Sequence, residues 1–330
     1  MHEYSERRHS DQGKATCKRA PGVRTAPDVV EHREPSMSRM SRRNLAAMVG
    51  LCLPHCRRNP LKTIPVLCYH RVLDGLQGVR APFSVIAPRD LEEHLRFIAS
   101  EGFLSLGLQE YWQAAAGRLK LEQPAVMLTF DDGYRDVYEV AWPIAKRYGV
   151  TINVFPVTGM VGHPEPISIY PESPLVTEQC ERMPELWRPM TWDELRRMDA
   201  EGAGIGLHGH THRNMALVPM EELSHDIDVA VRAFKQELNK QPLGLALPYG
   251  GPTAYSDGVL RIMRAHGLDL VFGTITGRSR IPHPQMPISR LVVHCDDTVA
   301  ALSRMLRGAC DWVGDLRRLQ YAFHRRFAAS

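Results

Sequence analysis

The stretch Ala125-Val126-Met127-Leu128-Thr129-Phe130-Asp131-Asp132-Gly133-Tyr134 joins an apolar run directly to two adjacent carboxylates and a glycine. An uninterrupted apolar run of this length reads as a strand buried on both faces of a parallel sheet. The carboxylates then stand at its C-terminal end, where α/β folds place their chemistry. Two neighbouring carboxylates repel, so a cation or a held proton must compensate them. A plain surface turn at Asp131-Asp132-Gly133 is the bland alternative, and the apolar run in front of it argues against that.

Working outward, strands and helices alternate. Ile64–His70 reads as the first strand. Asp90 and Glu93 have capping-box spacing before a core-facing helix with Leu91, Leu95 and Ile98. Leu106–Gln113 reads as a short helix, and Thr151–Val157 as the next strand. Residues 160–190 are proline-bearing and aperiodic, and a connection that long is a lid, a wall or a plain insertion. Thr191 and Glu194 form a second capping box. A glycine-rich strand at Ala203–Leu207 follows. Leu223, Ile227, Ala230, Phe234 and Leu238 keep helical spacing. Leu243–Leu247, a helix over Ser256–His266, Leu268–Gly273 and Arg290–Val293 complete the pattern. The alternation predicts an α/β fold with a mainly parallel sheet of about seven strands, a distorted and incomplete (β/α)7-type barrel.

The boundaries expected are a basic tail over 1–60, one folded domain over 61–296 and a helical C-terminal extension over 297–330. Of the 330 residues, the first 60 hold 12 Lys/Arg against 6 Asp/Glu, whereas the remainder holds 29 against 31. The basicity therefore belongs to the tail, expected to be flexible, and gives no reason to assign nucleic acid as a partner. In the C-terminal extension Trp312, Leu316, Leu319, Phe323 and Phe327 share a helical face, with Arg317, Arg318, Arg325 and Arg326 beside it. Docking of that face on its own domain is the expectation, and contact with a membrane surface the alternative.

Seven scattered cysteines do not form a disulfide framework and fit a reducing compartment. Cys52 and Cys56 lack the second half of a zinc knuckle. No stretch approaches the roughly 20 apolar residues of a membrane span. A cytoplasmic or peripherally membrane-associated protein is expected. A start at Met37 or Met40, ahead of the apolar run Asn44–Pro54, leaves secretion open.

The second chemical cluster is His208-Gly209-His210-Thr211-His212. Histidines four apart on a helix or bent strand reach one ion. With one of the paired aspartates they make a nitrogen and oxygen set suited to zinc or another divalent transition ion. His210 reads either as a ligand or as a packing residue.

Thr129-Phe130-Asp131-Asp132-Gly133, the His208/His212 pair flanked by Ile205-Gly206 and Asn214-Met215, and Pro248-Tyr249-Gly250 occur in this order. Together they resemble the polysaccharide deacetylases of carbohydrate esterase family 4, over about residues 62–295. The resemblance implies a distorted β/α barrel and metal-dependent removal of acetyl from an N-acetylated sugar of chitooligosaccharide or exopolysaccharide type. It implies Asp132, His208 and His212 as ligands of a divalent ion, Zn2+ by preference. It implies Asp131 as general base toward the attacking water and the backbone N–H of Tyr249 as oxyanion donor. Pro248, Gly250 and Tyr134 are the expected substrate contacts. For the general acid two stretches compete. Leu67-Cys68-Tyr69-His70 is similar to the arrangement of the poly-N-acetylglucosamine deacetylase branch, whose strand order is permuted, and His294 near the end is the alternative.

Three departures from the family pattern stand out. Tyr134 replaces a usual proline, as in the exopolysaccharide branch. Gly209 replaces a usual hydroxyl residue. No arginine precedes the third motif, which leaves Arg290 as the candidate orienter of the base. The alternatives are a non-catalytic member that binds acetylated sugar, and a metal-dependent hydrolase of a non-sugar amide.

Overall fold

The computed structural model describes residues 18–19, 59–74, 85–168 and 174–318. Most of the basic tail, including Cys52, Cys56 and Asn44–Pro54, lies outside the described residues, as do Leu319, Phe323, Arg325, Arg326 and Phe327. Within the tail, Lys18–Arg19 forms a short parallel strand pair with Ile167–Ser168, so a tail without any regular structure is corrected at that point.

The central strands are β1 (Val66–Tyr69), β2 (Leu104–Ser105), β3 (Ala125–Asp132), β4 (Ile152–Pro156), β5 (Gly204–Ile205), β6 (Gly244–Ala246), β7 (Leu270–Phe272) and β8 (Leu291–Val292). The helices between them are α1 (Pro88–Ser100), α2 (Leu108–Ala115), α3 (Trp142–Arg147), α4 (Trp192–Ala200), α5 (Met220–Leu238), α6 (Asp257–Ala265) and α7 (Val299–Leu306). All eight residues of β3 are buried, because the strand is paired on both edges. On one side Val66 to Tyr69 face Met127 to Phe130 in parallel register, and on the other Ile152 to Pro156 face Leu128 to Asp132. β5 extends the sheet beyond β4, β8 extends it beyond β1, and β2 pairs with the start of β3.

Two joints close this sheet into a ring. A parallel bridge between Leu207 and Leu245 links β5 to the β6–β7 pair, and one between Phe272 and Ile288 links that pair to the approach of β8. The ring runs β1-β3-β4-β5-β6-β7-β8 and back, seven parallel strands, with β2 outside it. Because two joints rest on single bridges, the barrel is distorted and incomplete, as the alternation predicts.

Parity along the strands sorts the core. Val126, Leu128 and Phe130 pack outward with Leu67, Tyr69, Ile152 and Val154 beneath the helices. Ala125 and Met127 join Val66, Phe155, Ala246 and Phe272 in the interior cluster. This is the period of two expected of strands. Glycines at the β5 edge leave room for that interior. A Cβ on Gly206 would lie 2.4 Å from the Phe155 ring.

The Thr191 capping box forms, with Thr191 accepting from Glu194 N and Glu194 reaching back. The box at Asp90 does not. Pro88 occupies the first helical position, Ala87 is the N-cap, and Asp90 falls inside the first turn. Proline sets the helix start there, since it needs no donor partner. Helix α7, placed beyond the domain boundary by the sequence pattern, buries Leu302, Met305 and Leu306 in the outer core. The helical segment 311–318 docks on the same body: Arg318 donates to Pro287 O and Ser289 Oγ, and buried Asp311 pairs with Arg278 at 3.0 Å. No helix among the described residues is long and apolar enough to cross a membrane.

Candidate active site

The ends of β1, β3, β5 and β6 bring the expected residues to one mouth of the barrel. Asp131 keeps the parity of Met127 and enters the interior. Asp132 does not continue the strand: its φ is +72°, a left-handed backbone that few residues other than glycine adopt. Gly133 follows at +82°, where a Cβ would sit 2.8 Å from the Pro156 backbone. The sharp turn sends the two carboxylates to different partners.

Asp131 meets Arg290. Nη1 donates to Oδ1 at 2.7 Å and Nη2 to Oδ2 at 2.8 Å, a two-pronged contact in which both side chains are buried. Arg290 is itself oriented, donating from Nε to Gly273 O and from Nη1 to Thr129 Oγ1. Burial alone would raise the Asp131 pKa, but the Arg290 charge, with its hydrogen bonds, brings it below the ordinary carboxylate value. The Cys68 thiol lies 3.7 Å from Asp131 Oδ2. Burial pushes that thiol far above its usual range, so it stays protonated.

Among the described residues Asp132 meets no arginine. Its Oδ1 lies 3.5 Å from His208 Nε2 and 3.4 Å from His212 Nε2. His208 Nδ1 donates to Ala246 O at 2.8 Å, which leaves the Nε2 lone pair of the neutral ring facing the carboxylate. His212 Nδ1 is buried without a hydrogen-bond partner. A His208 lone pair turned toward an anion is unfavourable unless a cation or a proton stands between them. Burial opposes charge on all three groups. The two histidine contacts nevertheless hold Asp132 well below the usual range, the aspartates raise His208, and burial keeps His212 low. Two imidazoles and one carboxylate with ligand atoms within 4.8 Å of one another fit a divalent transition ion.

His70 follows β1 directly, half-buried, with a ligand nitrogen within 4.8 Å of Cys68 Sγ and an Asp131 oxygen. Its Nδ1 is buried and unpartnered. His294 stands after β8 on the adjoining strand end, its N–H donating to Asp297. His210 is turned aside, its Nδ1 3.0 Å from Thr158 Oγ1. Tyr249 is 42% exposed, has φ +65°, and sets its ring 5.3 Å from that of His212.

The expected substrate contacts need correction. Tyr134 is only 3% exposed, and the Arg71 guanidinium sits over its ring at 3.9 Å and over the Trp187 ring at 4.0 Å, the two rings meeting edge-on. Pro248 and Gly250 are buried too. Gly250 packs on Thr274, where a Cβ would meet the backbone at 2.9 Å. These three residues support the mouth, and Tyr249 alone of the Pro-Tyr-Gly turn is exposed. Residues 160–190 contribute Trp187 to this support and bear short helices at Pro174–Arg182 and Pro184–Trp187. Sequence reading missed Cys68, Thr129 and Asp226. Inward parity with Asp131 could have found the first two. Nothing local marks the third.

Residues 118–271 match the polysaccharide deacetylase family model. This matched stretch, 118–271 of the 330 residues, is similar to a polysaccharide deacetylase domain. Its three motifs all fall inside the match, while His70, Arg290 and His294 lie outside it. The chain is also similar to YxkH of Bacillus subtilis (strain 168), named as a candidate polysaccharide deacetylase, at 23% identity over 215 residues. That match covers 65% of this chain and 65% of the relative. Among solved structures, the Streptococcus pyogenes deacetylase PplD in complex with acetate superposes with TM-score 0.62 at 19% identity, covering 74% of this chain and 98% of that one. IcaB from Ammonifex degensii gives 0.59 at 23% identity, covering 74% and 97%. A de-N-acetylase from Aggregatibacter actinomycetemcomitans gives 0.61 at 20% identity, covering 74% and 99%. These likenesses show that the chain shares their fold.

Proposed function

We propose that the protein removes N-acetyl groups from an N-acetylated poly- or oligosaccharide by metal-dependent hydrolysis. The observation that carries this is the division of labour between adjacent buried carboxylates, one clamped by an arginine and one facing two imidazoles. The names of the structural relatives, a de-N-acetylase and a deacetylase crystallised with acetate, support the same chemistry.

Asp132, His208 and His212 would hold the ion, with Zn2+ the best match to two nitrogens and one oxygen. When bound, a divalent ion supplies Lewis acidity, polarising an acetamide carbonyl and making water a better nucleophile at neutral pH. Asp131 accepts the proton of the attacking water. Arg290 occupies one direction of each carboxylate oxygen and the Cys68 thiol approaches Oδ2, which leaves Oδ1 to accept. The clamp lowers the basicity of Asp131 and in return fixes its orientation. The Tyr249 N–H, in its left-handed turn, donates to the developing oxyanion. His70 protonates the departing amine, and its place beside Asp131 favours it over His294. A membrane-surface role for the C-terminal residues beyond 318 remains a proposal of its own, tested by vesicle co-sedimentation of the full chain.

The test is acetate release from chitooligosaccharides and from poly-N-acetylglucosamine, run beside metal analysis. About one divalent ion per chain and metal-dependent acetate release are expected. Purified, metal-replete protein without a bound ion would sink the mechanism, and ion binding without acetate release from any acetylated glycan would leave a sugar-binding protein.

A further inference from the structure

The segment from His208 to His212 must return two imidazoles to one point within five residues. The backbone that does this is unusual twice, with φ +77° at Gly209 and +53° at His212. Nothing within the five residues holds that course, because the His210 ring faces Thr158 and the Thr211 hydroxyl leaves the turn. From outside, the Thr158 and Gly159 N–H groups donate to Gly209 O and His210 O, and one side chain, Asp226, grips both His210 and Thr211. It sits on α5, 8% exposed. Asp226 Oδ2 accepts from His210 N at 3.0 Å, and Oδ1 accepts from Thr211 Oγ1 at 2.5 Å. A Cβ at position 209 would lie 3.4 Å from Asp226 Oδ2, so the carboxylate also lines the bend. Arg213 steadies the same hydroxyl through Nε at 3.1 Å and anchors on Glu222 at 3.0 Å.

We propose that Asp226 is a positioning residue for the ion-binding turn: its carboxylate, presented from α5, sets the spacing of His208 and His212 through the His210 amide and the Thr211 hydroxyl. This rests on the metal site proposed above. The reasoning is geometric. Asp226 touches neither imidazole, but each oxygen restrains a residue between them. α5 is anchored in the core by Leu223, Ile227, Ala230 and Phe234, so the restraint is rigid. A carboxylate accepting a backbone N–H and a hydroxyl makes charge-assisted bonds, which an amide or alanine cannot reproduce at both atoms. Outer partners of metal ligands typically tune affinity by about 10- to 100-fold.

The test compares Zn2+ affinity, by competition with a chromophoric chelator, in wild type, Asp226→Ala, Asp226→Asn, Thr211→Val and Thr211→Ser. Thermal unfolding of each metal-free protein is measured alongside. Asp226→Ala is expected to weaken Zn2+ binding about 10- to 100-fold. Thr211→Val should lose about tenfold, and Thr211→Ser, which keeps the hydroxyl, should stay close to wild type. If Asp226→Ala does not fold, Thr211→Val against Thr211→Ser carries the same comparison. A folded Asp226→Ala protein with wild-type Zn2+ affinity, whatever its unfolding temperature, would overturn the proposal, as would a Thr211→Val affinity equal to that of Thr211→Ser. A wild-type chain that binds no Zn2+ would remove the metal site itself, and that failure is visible before any variant is made.

Discussion

Asp131 and Asp132 are consecutive, both buried, and chemically identical, yet they occupy opposite electrostatic worlds. Asp131 lies on the arginine side, where one guanidinium matches both its oxygens and the pair is neutral. Asp132 lies on the histidine side, where its partners are two imidazoles and the three groups could hold a metal ion. The difference arises from a single backbone change. Strand parity carries Asp131 into the barrel, and the left-handed φ of Asp132 breaks that parity one residue later. A strained residue of this kind costs on the order of 1–3 kcal/mol and persists where the surroundings enforce it. Here β1 and β4 grip the strand up to the turn, and Pro156 crowds Gly133 just after it.

The sharpest way to break the comparison is to delete the histidine side. Asp132→Ala or His208→Ala is expected to reduce bound metal from about one ion per chain to near zero and acetate release to background. Elemental analysis of the purified variant checks the first, and chelation of the wild type followed by Zn2+ addition should abolish and restore the second. Asp131→Asn attacks the other side alone. It should keep its ion and lose about 10²- to 10⁴-fold in kcat, the usual worth of a general base. An Asp131→Asn enzyme with wild-type kcat would return the base role to another group.

Arg290→Met leaves both carboxylates in place and removes the clamp. Breaking a buried pair from one side typically costs about 3–5 kcal/mol, read by denaturant unfolding. The pH dependence should also change sign. In the wild type the Asp131 pKa is below its unfolded value near 3.9, so its stabilising contribution is present above about pH 4 and is lost as the pH falls through the lowered folded value. Without the arginine, burial dominates and raises that pKa. The contribution is then present below about pH 4 and lost as the pH rises through the new folded value, so the variant is penalised most near neutrality. An acid limb in Arg290→Met that matches the wild type would show that the clamp does not set the Asp131 pKa.

The smallest effect expected is at the acid. His70→Ala should lower kcat by about 10²-fold, the low end for a proton donor, and His294→Ala should change it little. The reverse ranking would move the role to His294.

Much of this was legible in the chain. The apolar run into Asp131-Asp132, the His208/His212 spacing and the alternation of elements follow from local periodicity, which a parallel sheet and its helices impose on sequence. Thr191 capped its helix as its spacing implied, whereas Pro88 displaced the Asp90 start, because two local signals competed within three residues. Tyr134 reads as a substrate contact until Arg71 and Trp187, 63 residues before and 53 after it, are seen to enclose it. The same limit applies to Asp226, which reaches the His208–His212 turn from a helix, 15 residues beyond Thr211.

The sequence by itself determined which residues could do chemistry and in what order the strands would present them, since motif and periodicity are local. Only the tertiary structure decided which aspartate met which partner. Arg290 reaches Asp131 across 159 positions of chain, and the turn that diverts Asp132 is held by neighbouring strands. Closure of a barrel joins residues far apart in sequence, and that joining gives two identical side chains different partners, an arginine for Asp131 and two histidines for Asp132.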